Sequence, residues 1–252
     1  NLVAQDLGHY GRDLGRTGPG LSNLLEALLR ETSVPWFRLL YVYSAGLGDR
    51  LVRLMASEPR IVPYIDIPIQ HAADAVLERM RRPERRETIR ATVGRLRDAV
   101  PDMAIRTTAI VGFPGETDED FQVLCDFATE MQFERLGVFT YSEQEGTRAT
   151  ALPDDVPEDV KRARQDELLE LQRAISHDRL GRFLDRDVEV LVDRLAEPDE
   201  DGVTHVGRVV WQADDVDGVT YVRRGGWATP GTLLRARLVD NLDYDFTADA
   251  LP

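Results

Sequence analysis

Ile110-Val111-Gly112-Phe113-Pro114-Gly115-Glu116-Thr117 runs from an apolar strand end through a glycine-proline turn into an acid-rich helix start. These residue types at this spacing suit a pocket for a small ligand. Gly112 and Gly115 let the backbone turn sharply and come close to a ligand, while Pro114 stiffens the loop. Thr117 is placed to cap a helix whose first turn carries Asp118, Glu119 and Asp120, where the helix dipole favours acids. A phosphate ligand is disfavoured. No lysine follows the second glycine, and Glu116 with its acidic neighbours repels an anion. An ordinary βα turn carries the same signature, so the turn by itself leaves both readings open.

The elements that must position this turn are legible in the apolar pattern. Strand-like runs recur at Leu2 to Gln5, Trp36 to Tyr43, Ile61 to Ile69, Ala104 to Val111 and Leu136 to Tyr141. Between them, Leu21-Leu24-Leu25-Leu28-Leu29, Leu51-Leu54-Met55, Val76-Leu77-Met80, Ile89-Val93-Leu96 and Phe121-Leu124-Phe127-Met131 keep the spacing of amphipathic helices packed on a sheet. Alternating βα units predict a parallel sheet, whose ligands sit at the carboxyl ends of the strands. The residues just past each run are polar: Gln5-Asp6, Tyr43-Ser44, Gln70-His71, Gly112 to Glu116 and Tyr141-Ser142. Five coincident strand ends carry more weight than any one of them.

Beyond Pro157 the pattern changes to a long helix with Leu168, Leu171 and Ile175 on one stripe, ending near Gly181 to Leu184. After it, Val188 to Val192, Val206 to Trp211, Val219 to Val222 and Leu233 to Leu238 read as strands, separated by turn signals at Asp199 to Gly202, Asp217-Gly218 and Gly225-Gly226. A small antiparallel barrel is expected there. The chain divides accordingly into 1–183 and 184–252. At 252 residues it is long enough for such a division.

Composition narrows the class. The single Cys125 excludes a disulfide framework and suggests a reducing compartment, and no apolar run approaches membrane-spanning length, so cytoplasm is the expected location. Net charge is −14. From Leu184 onward fifteen acids face seven arginines, a balance that disfavours RNA and suits a basic protein partner. The one basic cluster, Arg79, Arg81, Arg82, Arg85 and Arg86, reads as a solvated helix end or as a contact to ribosomal RNA.

Several of these segments resemble one known family. Tyr64-Ile65-Asp66-Ile67-Pro68-Ile69-Gln70-His71-Ala72 with Met80-Arg81-Arg82, then Arg106-Thr107-Thr108 and the Gly112 turn, then Phe139-Thr140-Tyr141-Ser142 and Glu145-Gly146-Thr147 closely resemble the radical S-adenosylmethionine methylthiotransferases. The closing barrel, with Gly207-Arg208 and Val216-Asp217-Gly218, is similar to their TRAM domain. The Asp-Ile-Pro-Ile-Gln-His form resembles the RimO branch, which methylthiolates an aspartate of small-subunit ribosomal protein S-12, in place of the transfer-RNA enzymes of the MiaB branch. The fold implied is α/β: a partial radical-SAM (βα) barrel of parallel strands lacking its first βα unit, then a small antiparallel OB-like barrel.

The resemblance implies S-adenosylmethionine and two four-iron four-sulfur clusters as cofactors of the full-length enzyme, and S-12 as the partner, reached through the acidic TRAM-like domain with possible ribosome contact. Transfer RNA and membrane are not expected partners. It places Gln5 and Asp6 near the methionyl amino group, Gln70 and His71 toward the ribose or substrate, and Arg106 and Thr108 toward the ribose or carboxylate. Val111, Gly112, Phe113 and Gly115 would enclose the adenine with backbone from Tyr141 and Ser142. Bland roles stay open for His71 as a helix-capping imidazole, for Arg106 paired with Glu116 or Asp66, and for Thr108 as barrel filling.

The family holds one cluster with a CxxxCxxC loop after its first strand, and this chain has only Cys125. No catalytic or metal-ligating residue is therefore assigned. The expectation is a truncated, catalytically inactive polypeptide with an unpaired strand edge near Leu2 to Gln5 that favours self-association. Two other readings stand beside it: a transfer-RNA methylthiotransferase, and a non-catalytic module that docks a ribosomal protein.

Overall fold

In a computed structural model describing residues 1–15, 18–197 and 201–252, the apolar runs form a parallel sheet. Its strands β1 (Leu2–Val3), β2 (Phe37–Leu40), β3 (Ile61–Asp66), β4 (Ala104–Val111) and β5 (Arg135–Thr140) lie side by side in chain order. The amphipathic stretches become α1 (Leu21–Glu31), α2 (Asp49–Ser57), α3 (Asp74–Arg79), α4 (Arg86–Ala99) and α5 (Asp118–Met131). Their apolar stripes, including Leu25, Leu51, Val93, Leu96 and Phe127, bury against Leu39, Ile65, Ile105 and Val138 on the outer face of the sheet. Each such side chain contributes roughly 1.5–3 kcal/mol by leaving water.

β4 shows how the two faces separate. Ile105, Thr107, Ala109 and Val111 are buried, and Arg106, Thr108 and Ile110 are only half-buried on the opposite, inner face. The strand matches its expected bounds, whereas β1, β2 and β3 stop early. β2 ends where Tyr41 takes a left-handed φ of 57°. β3 ends before Pro68, which has no N–H for a ladder. Thr107 fills that gap by accepting from Ile69 N and donating to Ile67 O, which keeps residues 67–70 alongside β4.

α6 (Glu158–Gly181) follows β5 and leads into a second unit of five strands: β6 (Asp187–Leu195), β7 (Val203–Arg208), β8 (Thr220–Arg223), β9 (Leu233–Leu242) and β10 (Asp245–Ala250). They close in the order β10-β8-β7-β6-β9. The expected small antiparallel barrel is present, with one neighbouring pair, β8 and β10, running in parallel. An odd number of strands in a closed ring cannot alternate direction throughout, so one neighbouring pair must run the same way. β10 is the strand the apolar pattern missed, because of its inward residues Phe246, Ala248 and Ala250 only the first is large. The run expected to reach Trp211 ends at Arg208, and the Trp211 ring stacks on Phe183 at 3.7 Å instead. Residues 199 and 200 of the Asp199 to Gly202 turn lie outside the described residues.

The barrel docks beneath the sheet. Leu40, Val62, Tyr64 and Ala104, on the amino-terminal half of the inner face, share one apolar cluster with Phe183, Val209, Trp211 and Phe246. Arg38 donates to Val209 O and Val210 O across the same contact. The carboxyl-terminal half of that face stays open.

Candidate functional site: a cleft at the strand tips

Because the barrel covers only the lower half of the inner face, the tips of the parallel strands surround an open cavity of about 480 Å³. All five strands contribute: Gln5 follows β1, Tyr41 and Tyr43 follow β2, Gln70 follows β3, Arg106 and Thr108 lie on β4, and Phe139 lies on β5. A neighbouring cavity of about 740 Å³ shares Gln5 and Tyr43 and adds Asp6, His9 and Tyr10.

The polar groups of the cleft are held in place. Gln70 sits at φ 68°, with its N–H donating to Thr108 O and its carbonyl accepting from Ile110 N. A left-handed glutamine costs on the order of 1–2 kcal/mol. That cost is borne here by the flanking β4 hydrogen bonds. Its Oε1 is buried and has no hydrogen-bond partner among the described residues, an acceptor that a ligand N–H or O–H would satisfy. Arg106 Nη1 donates to Asp66 Oδ1 at 3.1 Å, so its structural partner is Asp66, not Glu116. Burial holds the Asp66 carboxyl above the usual carboxylate range, with the Arg106 charge opposing that shift. Asp6 caps the short turn after β1, its Oδ1 accepting from Gly8 N at 2.8 Å.

The remaining sequence-selected residues lie elsewhere. His71 is fully buried and does not face the cleft: Nδ1 accepts from Ala73 N at 3.0 Å, and Nε2 stands 3.5 Å from Glu116 Oε2. These contacts order the chain that enters α3. Gly112 and Gly115 have φ 71° and 75°, the left-handed geometry that glycine serves. The close approach at Gly112, however, is by Lys161 of α6, whose Cγ an added Cβ would overlap. Val111 and Phe113 are buried, and Phe113 packs edge-on against Tyr141 at 5.2 Å. Val111, Gly112, Phe113 and Gly115 thus make packing contacts within the chain at this turn. The Gly115 N–H donates to Asp155, and Ser142 is exposed beyond the cavity lining.

Glu116 locks this turn from below, accepting from Phe113 N and from Arg164 Nη1 at 2.9 Å. Thr117 Oγ1 accepts from Asp120 N, the cap its position suggested. The basic cluster is partly tied down as well. Arg79 donates to Gly115 O and pairs with Asp120, and the Arg82 guanidinium lies over the Tyr43 ring at 4.6 Å. Tyr41 was not singled out from sequence, and Tyr43 and Phe139 were named only as part of a strand tip and of a motif, with no ligand role. Their signal was weak, because each sits in an apolar run that reads as core.

The radical SAM superfamily profile matches residues 14–128, and the TRAM domain profile matches residues 186–251. The chain carries a radical SAM domain followed by a TRAM domain. The radical SAM match takes in β2, β3 and β4 of the cleft, and the TRAM match coincides with the closed barrel. A Geobacter sulfurreducens protein named ribosomal protein uS12 methylthiotransferase RimO is 43% identical over 251 residues, covering 100% of this chain and 55% of its own length. Its namesake from Roseiflexus castenholzii is 45% identical over 253 residues, covering 99% of this chain and 52% of its own length. The chain therefore spans about half the length of the curated relatives it matches. Among solved structures, the Escherichia coli coproporphyrinogen III oxidase HemN, described as a radical SAM enzyme, aligns with TM-score 0.49 and 16% identity over 88% of this chain and 51% of its own.

The residues present fit the two kinds of cofactor differently. A four-iron cluster needs several thiolates, and Cys125 is the one cysteine in the sequence. It is buried on α5 behind the sheet, where burial pushes its thiol up to about 11. These residues do not hold an iron-sulfur cluster. A nucleoside-sized ligand with amino and hydroxyl donors does fit the cleft, through the unsatisfied Gln70 Oε1 and the volume around it.

Proposed function

We propose that this chain supplies the S-adenosylmethionine cleft and the TRAM domain of a methylthiotransferase acting on ribosomal protein uS12, working in the cytoplasm. The observation that carries the reading is the identity of 43–45% to relatives so named across the whole of this chain, with every parallel strand contributing to one cavity. The division near residues 183 and 184 belongs to the same reading. So do the iron-sulfur clusters, whose ligands are not among these residues.

S-adenosylmethionine, when bound, supplies the adenosyl and methyl groups on which such chemistry draws. This chain's own residues bind and orient it. Gln70 Oε1 accepts a hydrogen bond from a ligand amino or hydroxyl group, and Gln5 with Asp6 flanks the methionyl amino end. Thr108 and the Arg106 guanidinium meet the ribose or the carboxylate. Phe139, 56% exposed on the inner face, offers a ring on which the ligand excludes water.

The TRAM domain's acidic balance supports a basic protein as partner and disfavours RNA, which is bound by neutralising phosphates. Calorimetry with S-adenosylmethionine and pull-down with uS12 test both halves. Binding of each by this chain is expected, with Gln70→Ala weakening the ligand about five- to tenfold, the worth of one buried hydrogen bond. Capture of uS12 without ligand affinity would leave a docking module, and salt-sensitive binding of transfer RNA in its place would favour a transfer-RNA enzyme.

A further inference from the structure

On the inner face of β4, Ala104, Arg106 and Thr108 step from the barrel contact up to the cavity. Ala104 lies in the apolar cluster shared with the TRAM domain, and Thr108 lines the cleft. Arg106 stands between them and touches both. Its Nη1 donates to Asp66, and its Nε lies 3.7 Å from Oδ1 of Asp217. Asp217 belongs to the loop between β7 and β8, and its side chain is wholly buried. The same oxygen stands 3.2 Å from Arg135 Nε, and the other accepts from Ala213 N at 2.8 Å. Asp66 in turn accepts from the N–H of Tyr41, the left-handed residue at the cleft wall.

Two arginines and two carboxylates thus balance beneath the cleft, and the TRAM domain provides one of the carboxylates. Arg106 Nη2 has no hydrogen-bond partner among the described residues and lies beside Gly137, which has no side chain to cover it. A free arginine on an open sheet face spreads over many rotamers, with roughly 2 kcal/mol of side-chain entropy to lose on binding. The hydrogen bond from Nη1 to Asp66 and the Asp217 charge 3.7 Å from Nε together restrict the guanidinium beforehand, and preorganisation of this kind raises affinity by lowering that cost.

We propose that Asp217 is a positioning residue: the TRAM domain reaches under the parallel sheet and fixes Arg106, so that its guanidinium stands ready at the floor of the cleft. TRAM docking is thereby part of building the ligand site in the neighbouring domain. The ligand-affinity part of the test rests on the reading of the cleft as an S-adenosylmethionine site, and the part without ligand does not.

Without ligand, phenylglyoxal modification of Arg106, followed by peptide mass mapping, is expected to quicken several-fold in Asp217→Asn relative to the unaltered chain. In Arg135→Gln it stays within about twofold, because that change loosens the same domain contact while leaving Arg106 between its two carboxylates. Asp217→Ser, which also removes the carboxylate, serves if the asparagine variant does not fold and carries the same expectation. With ligand, S-adenosylmethionine binding weakens about five- to tenfold in Asp217→Asn. It weakens no further when Asp217→Asn is added to Arg106→Gln, since Asp217 acts through Arg106. Unchanged Arg106 reactivity in both Asp217 variants overturns the proposal, as does full additivity of the two substitutions on affinity. If the unaltered chain takes up no S-adenosylmethionine while Arg106 still reacts faster in the Asp217 variants, the positioning role stands and the ligand assignment falls.

Discussion

Gly112 illustrates how a residue type can be required for a reason other than the one its motif suggests. Its left-handed φ and the space it leaves are both real, but that space is filled by the aliphatic stem of Lys161. The Lys161 ammonium then reaches Asp154 at 2.6 Å and Glu158 at 2.7 Å, which ties the start of α6 to the turn. Gly112→Ala is expected to destabilise the fold by more than the roughly 1–2 kcal/mol of a left-handed alanine, because Lys161 must also move. Urea unfolding measures it, and a loss below 1 kcal/mol would contradict this packing. Cys125 offers a second residue-scale test. Burial both hides the thiol and raises its titration to about 11, so at pH 8 it is buried and protonated in the native chain. Labelling with Ellman's reagent should proceed at the rate of unfolding and become fast in denaturant. Rapid native labelling would place Cys125 outside the core.

At the scale of elements, the cleft exists because β3 is interrupted. Pro68 breaks the ladder, and the chain still reaches Gln70 beside β4 because the Thr107 hydroxyl stands in for the missing backbone partners. Thr107→Val keeps the shape and removes both bonds, leaving Ile69 N and Ile67 O unsatisfied in a buried setting. A loss of about 1–3 kcal/mol is expected, together with weaker ligand binding as Gln70 loosens. Equal stability to the unaltered chain in thermal unfolding would show that the segment is held by other means. Element identity was largely legible. The helices after β1, β2, β3 and β4 follow from apolar stripes at helical spacing, and β4 from a β-branched run whose bounds came out as read. β10 was not legible, because a strand whose inward residues are one phenylalanine and two alanines leaves only a weak periodic trace.

For the whole molecule, the decisive feature is that the TRAM barrel shares a core with the radical SAM sheet. Phe183 stacks on Trp211 and stands edge-on to Phe246 at 6.5 Å, while Tyr64 and Ala104 of the sheet join the same cluster. A shared core predicts joint unfolding. Phe183→Ala is expected to cost about 3–5 kcal/mol and to shift two probes together, tryptophan fluorescence, to which the buried Trp211 contributes, and hydrogen exchange of the β4 amides. Two separated transitions in the unaltered chain would mean that the units are stabilised independently. The same docking leaves only the upper half of the inner face open, which is why the cavity sits at the strand tips and not along the whole sheet.

By itself the sequence determined the alternation of strands and helices, the change to a β-rich second unit, the polar character of the strand tips and the lack of thiols for a cluster. These properties are local: each is written in periodicity, turn residues or counts. Only the tertiary structure decided which tip residues face the cavity. His71, Val111 and Phe113 turn into the packing while Gln5, Gln70, Arg106 and Thr108 line the space. It also decided that Asp217, far along the chain, meets Arg106 beneath that space. Side-chain direction at a strand end depends on backbone geometry after the ladder stops, and contact between distant charges depends on how two domains dock. Neither leaves a periodic signal in the chain.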